Sequence, residues 1–312
     1  MSGPGLTGVF LRGVAMGAAD VVPGVSGGTV AFITGIYETL LASLRQLDWR
    51  ALQVLRADGV AAAWRHINGS FLLALAAGIF SSVLVLAGVI RTALERYPIP
   101  LWAFFFGLIG ASALHLWRQR RVRTPGLYGV LVAGALLALA IGALRPGELP
   151  QTPLTFFISG SIAICAMILP GISGSFMLVL MGMYAPLLAA LADMRLGLLA
   201  CFVAGCALGL MAFARVLHAL FRRFHDQTMA LMTGFLVGSL GLVWPWKQTV
   251  TTYLDRHGES LPLQQVNVWP WEFARLTGQS DFLLEATILM LGGVLLVLGL
   301  EKFATITAHP PR

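Results

Sequence analysis

Long apolar runs, separated by short segments that carry most of the arginines, set the pattern of this chain. Six runs, 71–90, 101–117, 127–144, 196–215, 227–246 and 282–300, are each near the ~20 residues that cross a bilayer as helix. Two further regions, 6–44 and 154–192, stay apolar for nearly twice that length and are split by a Pro-Gly tract. The first tract reads Pro23-Gly24-Val25-Ser26-Gly27-Gly28-Thr29 and the second Pro170-Gly171-Ile172-Ser173-Gly174-Ser175. Proline lacks an N–H and glycine tolerates unusual dihedrals, so a helix should stop at each tract. Broken backbone at membrane depth persists only where protein or a water-filled cavity satisfies it. Both regions are therefore expected to be helical hairpins that enter the membrane, turn at the tract and leave on the same side.

The two regions are also copies. At a shift of 147, Pro23, Gly24, Ser26, Gly27, Gly35 and Tyr37 meet Pro170, Gly171, Ser173, Gly174, Gly182 and Tyr184, and four more identities follow between residues 40 and 44. At a shift of 127 the next spans align, with Gly78 on Gly205, Gly107 on Gly234, Ser112 on Ser239 and Trp117 on Trp244. The unit is one hairpin plus three spans, with a first copy in 1–150 and a second in 151–312. Three is odd, so the second copy begins on the opposite side. The expected fold is an all-α integral membrane protein of two inverted repeats, each a re-entrant helical hairpin plus three transmembrane helices, an arrangement many secondary transporters use.

Composition agrees. Hydrophobic residues make up 57% of the 312 and charged residues only 11%, against about 25% in soluble proteins. The net charge of +7 reads as orientation in a membrane, not as affinity for nucleic acid. With loop 118–126 in the cytoplasm, 13 of the 21 Lys and Arg residues fall inside, as the positive-inside rule asks. Both termini are then cytoplasmic and the 247–281 loop is outside, with Trp244, Trp246, Trp269 and Trp271 as an outer aromatic belt. No cleaved signal peptide is expected, since the first apolar stretch carries Arg12 and Asp20. Cys165, Cys201 and Cys206 lie in apolar runs without metal-ligand spacing, so no metal or other cofactor is expected.

The tracts carry the candidate chemistry. A half-helix that starts at a break presents unpaired N–H groups and the positive end of a dipole, which suit phosphate. Ser26, Gly27, Gly28 and Thr29 in one copy and Ser173, Gly174 and Ser175 in the other are the candidate binding residues. Arg12 lies on the same first half-helix, where it neutralises phosphate, pairs with Asp20 or snorkels to the interface. The structural alternative is a tight turn whose small residues serve helix packing. Asp20 and Glu38 bracket the first break, while Met167 and Ala185 stand at the matching places. Acids are costly inside a membrane and repel phosphate, so coupling to Na⁺ or a proton is their candidate role, with capping at the hairpin mouth as the alternative. Arg91 and Arg215, near span ends, read as interfacial anchors, and His115 and His218 are weaker candidates for a transport role.

These tracts resemble the paired signatures of the bacterial polyprenyl-phosphate transporter family, the undecaprenyl-phosphate translocases. The first match runs from Gly17 to Thr29 and continues at Gly35-Ile36-Tyr37-Glu38; the second runs from Ile168 to Phe176 and continues at Gly182-Met183-Tyr184. The resemblance implies residence in the bacterial cytoplasmic (inner) membrane, with the lipid bilayer and undecaprenyl phosphate as partners. It implies return of this lipid carrier from the outer to the cytoplasmic leaflet for cell-envelope synthesis. Association as a homo-oligomer stays open. A rival reading is an enzyme like the undecaprenyl-pyrophosphate phosphatases, which also carry Pro-Gly-x-Ser. In those an Arg follows the serine, where Gly27 and Gly174 stand here, and no base lies near either serine in sequence. A small-anion transporter or channel is the third reading, and it would need a polar path that these spans hardly offer.

Overall fold

The computed structural model describes residues 5–20, 26–119, 124–144, 147, 149–254 and 260–308. Pro23 and Gly24 of the first tract lie outside these residues, as does the side chain of Arg91. The first half of the chain forms α1 (Leu6–Asp20), α2 (Gly27–Ile33), α3 (Tyr37–Arg45), α4 (Trp49–Asp58), α5 (Val60–His66), α6 (Gly69–Arg96), α7 (Pro98–Gln119) and α8 (Pro125–Gly142). The second forms α9 (Pro153–Ile168), α10 (Gly174–Leu180), α11 (Tyr184–Ala192), α12 (Leu196–Arg223), α13 (His225–Ser239), α14 (Pro270–Thr277) and α15 (Leu283–Ala308). Between α13 and α14 an antiparallel ribbon pairs β1 (Lys247–Leu254) with β2 (Ser260–Asn267).

The fold is that of a helical, multi-pass membrane protein. Among the described residues four helices are long and apolar enough to cross a membrane, and six if each bent pair counts as one. Large apolar side chains such as Leu84, Val85 and Val203 stand exposed on them, as a lipid-facing surface requires. Local chemistry sets the ends. Pro125, Pro153 and Pro270 each open a helix at a first-turn position, where the missing N–H costs nothing. Thr152 and Thr155 close a reciprocal capping box at the start of α9.

Both hairpins are present, and each has one break more than the sequence suggested. α1 packs on α2 and α9 on α10, so the chain folds back between the helices of each pair. The returning arm then bends again, by 114° between α2 and α3 and by 104° between α10 and α11. The second bend falls at Gly35 and Gly182, with φ of +72° and +66°. The Ile36 N–H donates to Ala31 O and the Gly35 N–H to Phe32 O; the Met183 N–H donates to Leu178 O and the Gly182 N–H to Val179 O. That is the Schellman ending, which calls for a left-handed residue best supplied by glycine. The 247–281 segment, read from sequence as a loop, holds the ribbon and α14, and the run 227–246 is helical only as far as Ser239.

The chain packs as two compact units, Met1–Ile90 with His115–Ser239, and Arg91–Leu114 with Leu240–Arg312. In the first, glycines bring helices into backbone contact in a duplicated pattern. A Cβ on Gly13 would strike Leu75 O and one on Gly78 would strike Phe10 O. At the corresponding shifts, a Cβ on Gly160 would strike Phe202 O and one on Gly205 would strike Phe157 O. Thus α1 sits on α6 as α9 sits on α12. In the same unit α8 meets α13, where Gly134 faces Leu231 O and Gly234 faces Leu131 O. The second unit contains the matching pair, α7 on α15, where Gly293 faces Phe104 O and Gly107 faces Met290 O. Its buried cluster joins Ile99, Ala103, Trp246, Val268 and Ala286. Trp244, Trp246, Trp269 and Trp271 adjoin one another there, with Trp269 and Trp271 stacked at 5.2 Å.

This packing sets a paired expectation. Gly293→Val and Gly134→Val should each cost about 1–3 kcal/mol by overpacking, read as a lowered thermal midpoint in detergent. Gly292→Val and Gly129→Val, on the same two helices but facing open space, should leave the midpoint near wild type. Equal loss in both sets would show that close backbone approach is not the constraint, because valine is a better helix former than glycine.

Candidate functional site

The two tips meet. Ser26, the N-cap of α2, donates its hydroxyl to Met167 O at 2.8 Å and accepts the Gly28 N–H at 3.1 Å. Thr29 Oγ1 accepts the Gly171 N–H at 2.9 Å. Tyr37 donates its hydroxyl to Ile168 O at 3.1 Å. All three side chains are buried. Met167 O and Ile168 O are carbonyls at the C-terminal end of α9, where no helical partner remains, and Gly171 lies in the second Pro-Gly tract. Side chains of the first copy thus take up polar backbone groups that the break in the second sets free. Small residues make room: a Cβ on Gly28 would come within 2.5 Å of Ile168 O, and one on Gly174 within 2.6 Å of Ala163 O. Tyr37 is held from the other side by aromatic edges, Phe32 at 5.1 Å and Phe221 of α12 at 5.8 Å.

The copies differ in what occupies the start of the returning arm. At α2 the positions are filled from within the protein. Asp20 Oδ1 accepts the Gly27 N–H at 2.7 Å, and Ser26 supplies acceptors for the N–H groups of Gly28 and Thr29. A carboxylate is thus the anion at that helix end. At α10 Ser173 makes no side-chain cap and instead shares a 2.8 Å hydrogen bond with Ser175. Among the described residues no acceptor bonds to the backbone N–H of Gly174, Ser175 or Phe176. Ser175 is exposed, whereas Ser173 and Gly174 are buried. The second tip therefore offers open donors beside two hydroxyls, and the first does not.

The remaining candidates are dispersed. Arg12 is half-buried, donates from Nη1 to Gly8 O at 3.3 Å, and leaves Nε buried without a partner. Among the described residues neither Arg12 nor Asp20 is in an ion pair. Glu38 is exposed on α3 and faces His225 Nε2 at 3.3 Å, at the start of α13. Asp20 caps the start of α2 at Gly27, the alternative role the sequence offered for it, whereas Tyr37 was not among the candidate binding residues. The matched Gly-x-Tyr marked the tyrosine without revealing its partner.

A helical membrane protein with two broken hairpins joined tip to tip is the class these features define. The chain belongs to the undecaprenyl phosphate translocase-like family, which it matches over residues 16–261. It is 51% identical over 295 residues to a polyprenyl-phosphate transporter of Vibrio cholerae, covering 95% of this chain and 96% of the relative. It is 30% identical over 254 residues to a polyprenyl-phosphate transporter of Staphylococcus aureus, covering 76% and 85%. No solved structure matches the chain.

The tip contacts can be weighed separately. Tyr37→Phe should cost about 1 kcal/mol, the usual worth of a hydrogen bond between membrane helices. Thr29→Val should cost more, about 1–3 kcal/mol, because it strands the buried Gly171 N–H. Thermal midpoints of the purified variants give the ranking, and a Thr29→Val protein as stable as wild type would remove this contact from the tip.

Proposed function

We propose that this protein carries a polyprenyl phosphate across the bacterial cytoplasmic membrane, returning undecaprenyl phosphate from the outer to the cytoplasmic leaflet. The observation that carries this reading is the 51% identity, over nearly the whole of both chains, to a protein named a polyprenyl-phosphate transporter. The duplicated contacts of α1 on α6 and α9 on α12, and of α8 on α13 and α7 on α15, support two copies of one unit. With three spans between hairpins the copies run in opposite senses. The head group is taken at the tips, at the open start of α10 beside Ser173 and Ser175. Ser26, Gly27, Gly28 and Thr29 frame it from the first copy, and Arg12 lies on the entering helix. The prenyl tail stays in lipid, so only the phosphate needs a polar route. Transport in place of hydrolysis is supported by the use of Ser26 Oγ, whose proton goes to Met167 O; that hydroxyl is committed to holding the tips together.

Asp20 is the coupling group in this reading, for a proton or Na⁺, with Glu38 as second candidate. Asp20→Asn tests it cleanly because the amide oxygen can still accept the Gly27 N–H, so the fold should survive with little change in thermal midpoint. Flux of labelled undecaprenyl phosphate in liposomes should lose its dependence on an imposed pH or Na⁺ gradient. Asp20→Ala should be less stable as well, since the cap goes too. Gradient-driven flux that survives unchanged in Asp20→Asn would leave the carboxylate as a cap only.

Orientation follows from the charge asymmetry, with both termini in the cytoplasm and the segment holding the ribbon and α14 outside. In a background without the three native cysteines, Gln279→Cys, at an exposed position, should react with an impermeant maleimide in intact cells. Reaction only after permeabilisation would invert the topology.

A further inference from the structure

The tips leave a strongly basic concavity of the first unit unexplained. A cavity of about 780 Å³ opens where the end of α3 and the start of α4 face the last turns of α12. Arg45, Arg50, Arg215, Arg222 and Arg223 line it, against one carboxylate, Asp48. That carboxylate is already used: it caps α4, its Oδ1 accepting the N–H groups of Arg50 and Ala51. Arg215 donates to Met211 O at 3.3 Å and Arg223 lies over the Phe224 ring at 5.4 Å. Among the described residues none of the five guanidiniums is in an ion pair. The positive-inside rule asks only that cations lie near span ends. It does not ask them to converge from two segments about 170 positions apart onto one hollow, where they repel each other. Such a hollow attracts an anion, and arginine forks fit phosphate oxygens better than point charges do.

We propose that this pocket is a second binding site, for a phosphate monoester, separate from the tips. Its connection to them is short. A smaller cavity of about 400 Å³ shares His218 and Arg222 with the basic pocket and runs along α3 to Glu38. Glu38 follows Tyr37, whose hydroxyl reaches the second tip. Phe221, which lines the smaller cavity, packs edge-on against the Tyr37 ring. α3 is nine residues long, a rise of about 13 Å. An anion leaving the tips along this helix arrives among the arginines, so the pocket is the station at which a phosphate head group is received or released. This use of the pocket rests on the transport reading; its affinity for phosphate monoesters does not.

The test uses the full chain in nanodiscs of zwitterionic phosphatidylcholine, titrated with farnesyl phosphate, inorganic phosphate or farnesol. Farnesyl phosphate should slow backbone hydrogen exchange in 45–51 and 215–223, and farnesol should not. Protection by farnesyl phosphate alone identifies a lipid head group as the ligand. Protection by inorganic phosphate as well shows that the phosphate group suffices. In Arg45→Gln/Arg222→Gln the dissociation constant of the protecting probe should rise about tenfold or more, as expected for lost charge-assisted bonds. Arg222→Lys, which keeps the charge but not the fork, should fall between. Arg195→Gln, whose guanidinium pairs with Asp193 elsewhere, should match wild type. No protection of 45–51 in wild type by either phosphate probe overturns the pocket, whatever the variants do. Lipid flux that persists in that case leaves the transport reading standing, whereas protection without flux overturns the transport reading and keeps the pocket.

Discussion

A helix interrupted inside a bilayer exposes N–H and C=O groups where no water can take them up, at a cost of several kcal/mol for each one left alone. The rest of this structure depends on how that cost is met. The end of α9 leaves Met167 O and Ile168 O open, and Ser26 and Tyr37 close them. The tract that follows presents the Gly171 N–H, and Thr29 accepts it. These bonds cross between the hairpins, so neither hairpin is a complete structure at its tip without the other. Separating them would strip three buried polar contacts at once, which makes the joined tips a single mechanical element. Motion during transport is then expected around the tips, at the Gly35 and Gly182 bends, and not between them.

The glycine contacts extend the same duplication into the surrounding helices. Within a copy, the entering helix of the hairpin lies on the first span, α1 on α6 and α9 on α12. Beyond that the copies exchange partners. The third span of the first copy, α8, lies on the second span of the other, α13, and α15 lies on α7. This exchange explains why packing does not follow the division at residue 150 that the sequence repeat suggests. The sequence match divides the chain near residue 150, while the compact units each draw on both sides of that division. Small residues at these crossings serve a physical need, because helix association in lipid relies on close packing and not on hydrophobic exclusion.

The spans and hairpins were legible because their signals are long and duplicated: uncharged runs of fixed length, and Pro-Gly tracts in register at 147 positions. The second break in each hairpin was not. Gly35 and Gly182 align in sequence, but a glycine in an apolar run looks the same whether it packs against a neighbour or takes a positive φ. The ribbon at 247–267 escaped because the stretch lacks the apolar alternation that marks a half-buried strand. At the site, the sequence set Asp20 against Met167 but did not show the consequence, which is that of the two tip helices only α2 starts against a carboxylate. The basic pocket was hidden for a different reason. Its arginines were counted as orientation signals in two separate loops, and nothing in sequence says that the loops face each other.

Capping and the proposed ion coupling look like rival roles for Asp20, yet the geometry is compatible with one carboxyl group serving both. The bond that holds the tip runs from the Gly27 N–H to Oδ1. A protonated carboxyl keeps an oxygen free to accept that bond and loses only its charge. The tip can therefore change charge without losing the contact that orders it. A capping asparagine would hold the tip equally well but could not change charge. The charge also matters across the tip. For a phosphate bound at the tips, an ionised Asp20 would raise the cost and a neutral or cation-bound one would relieve it. A head group and a proton or Na⁺ would then favour each other's binding at the tips. That linkage would be reciprocal by thermodynamic necessity, and it needs no movement of the tips to operate.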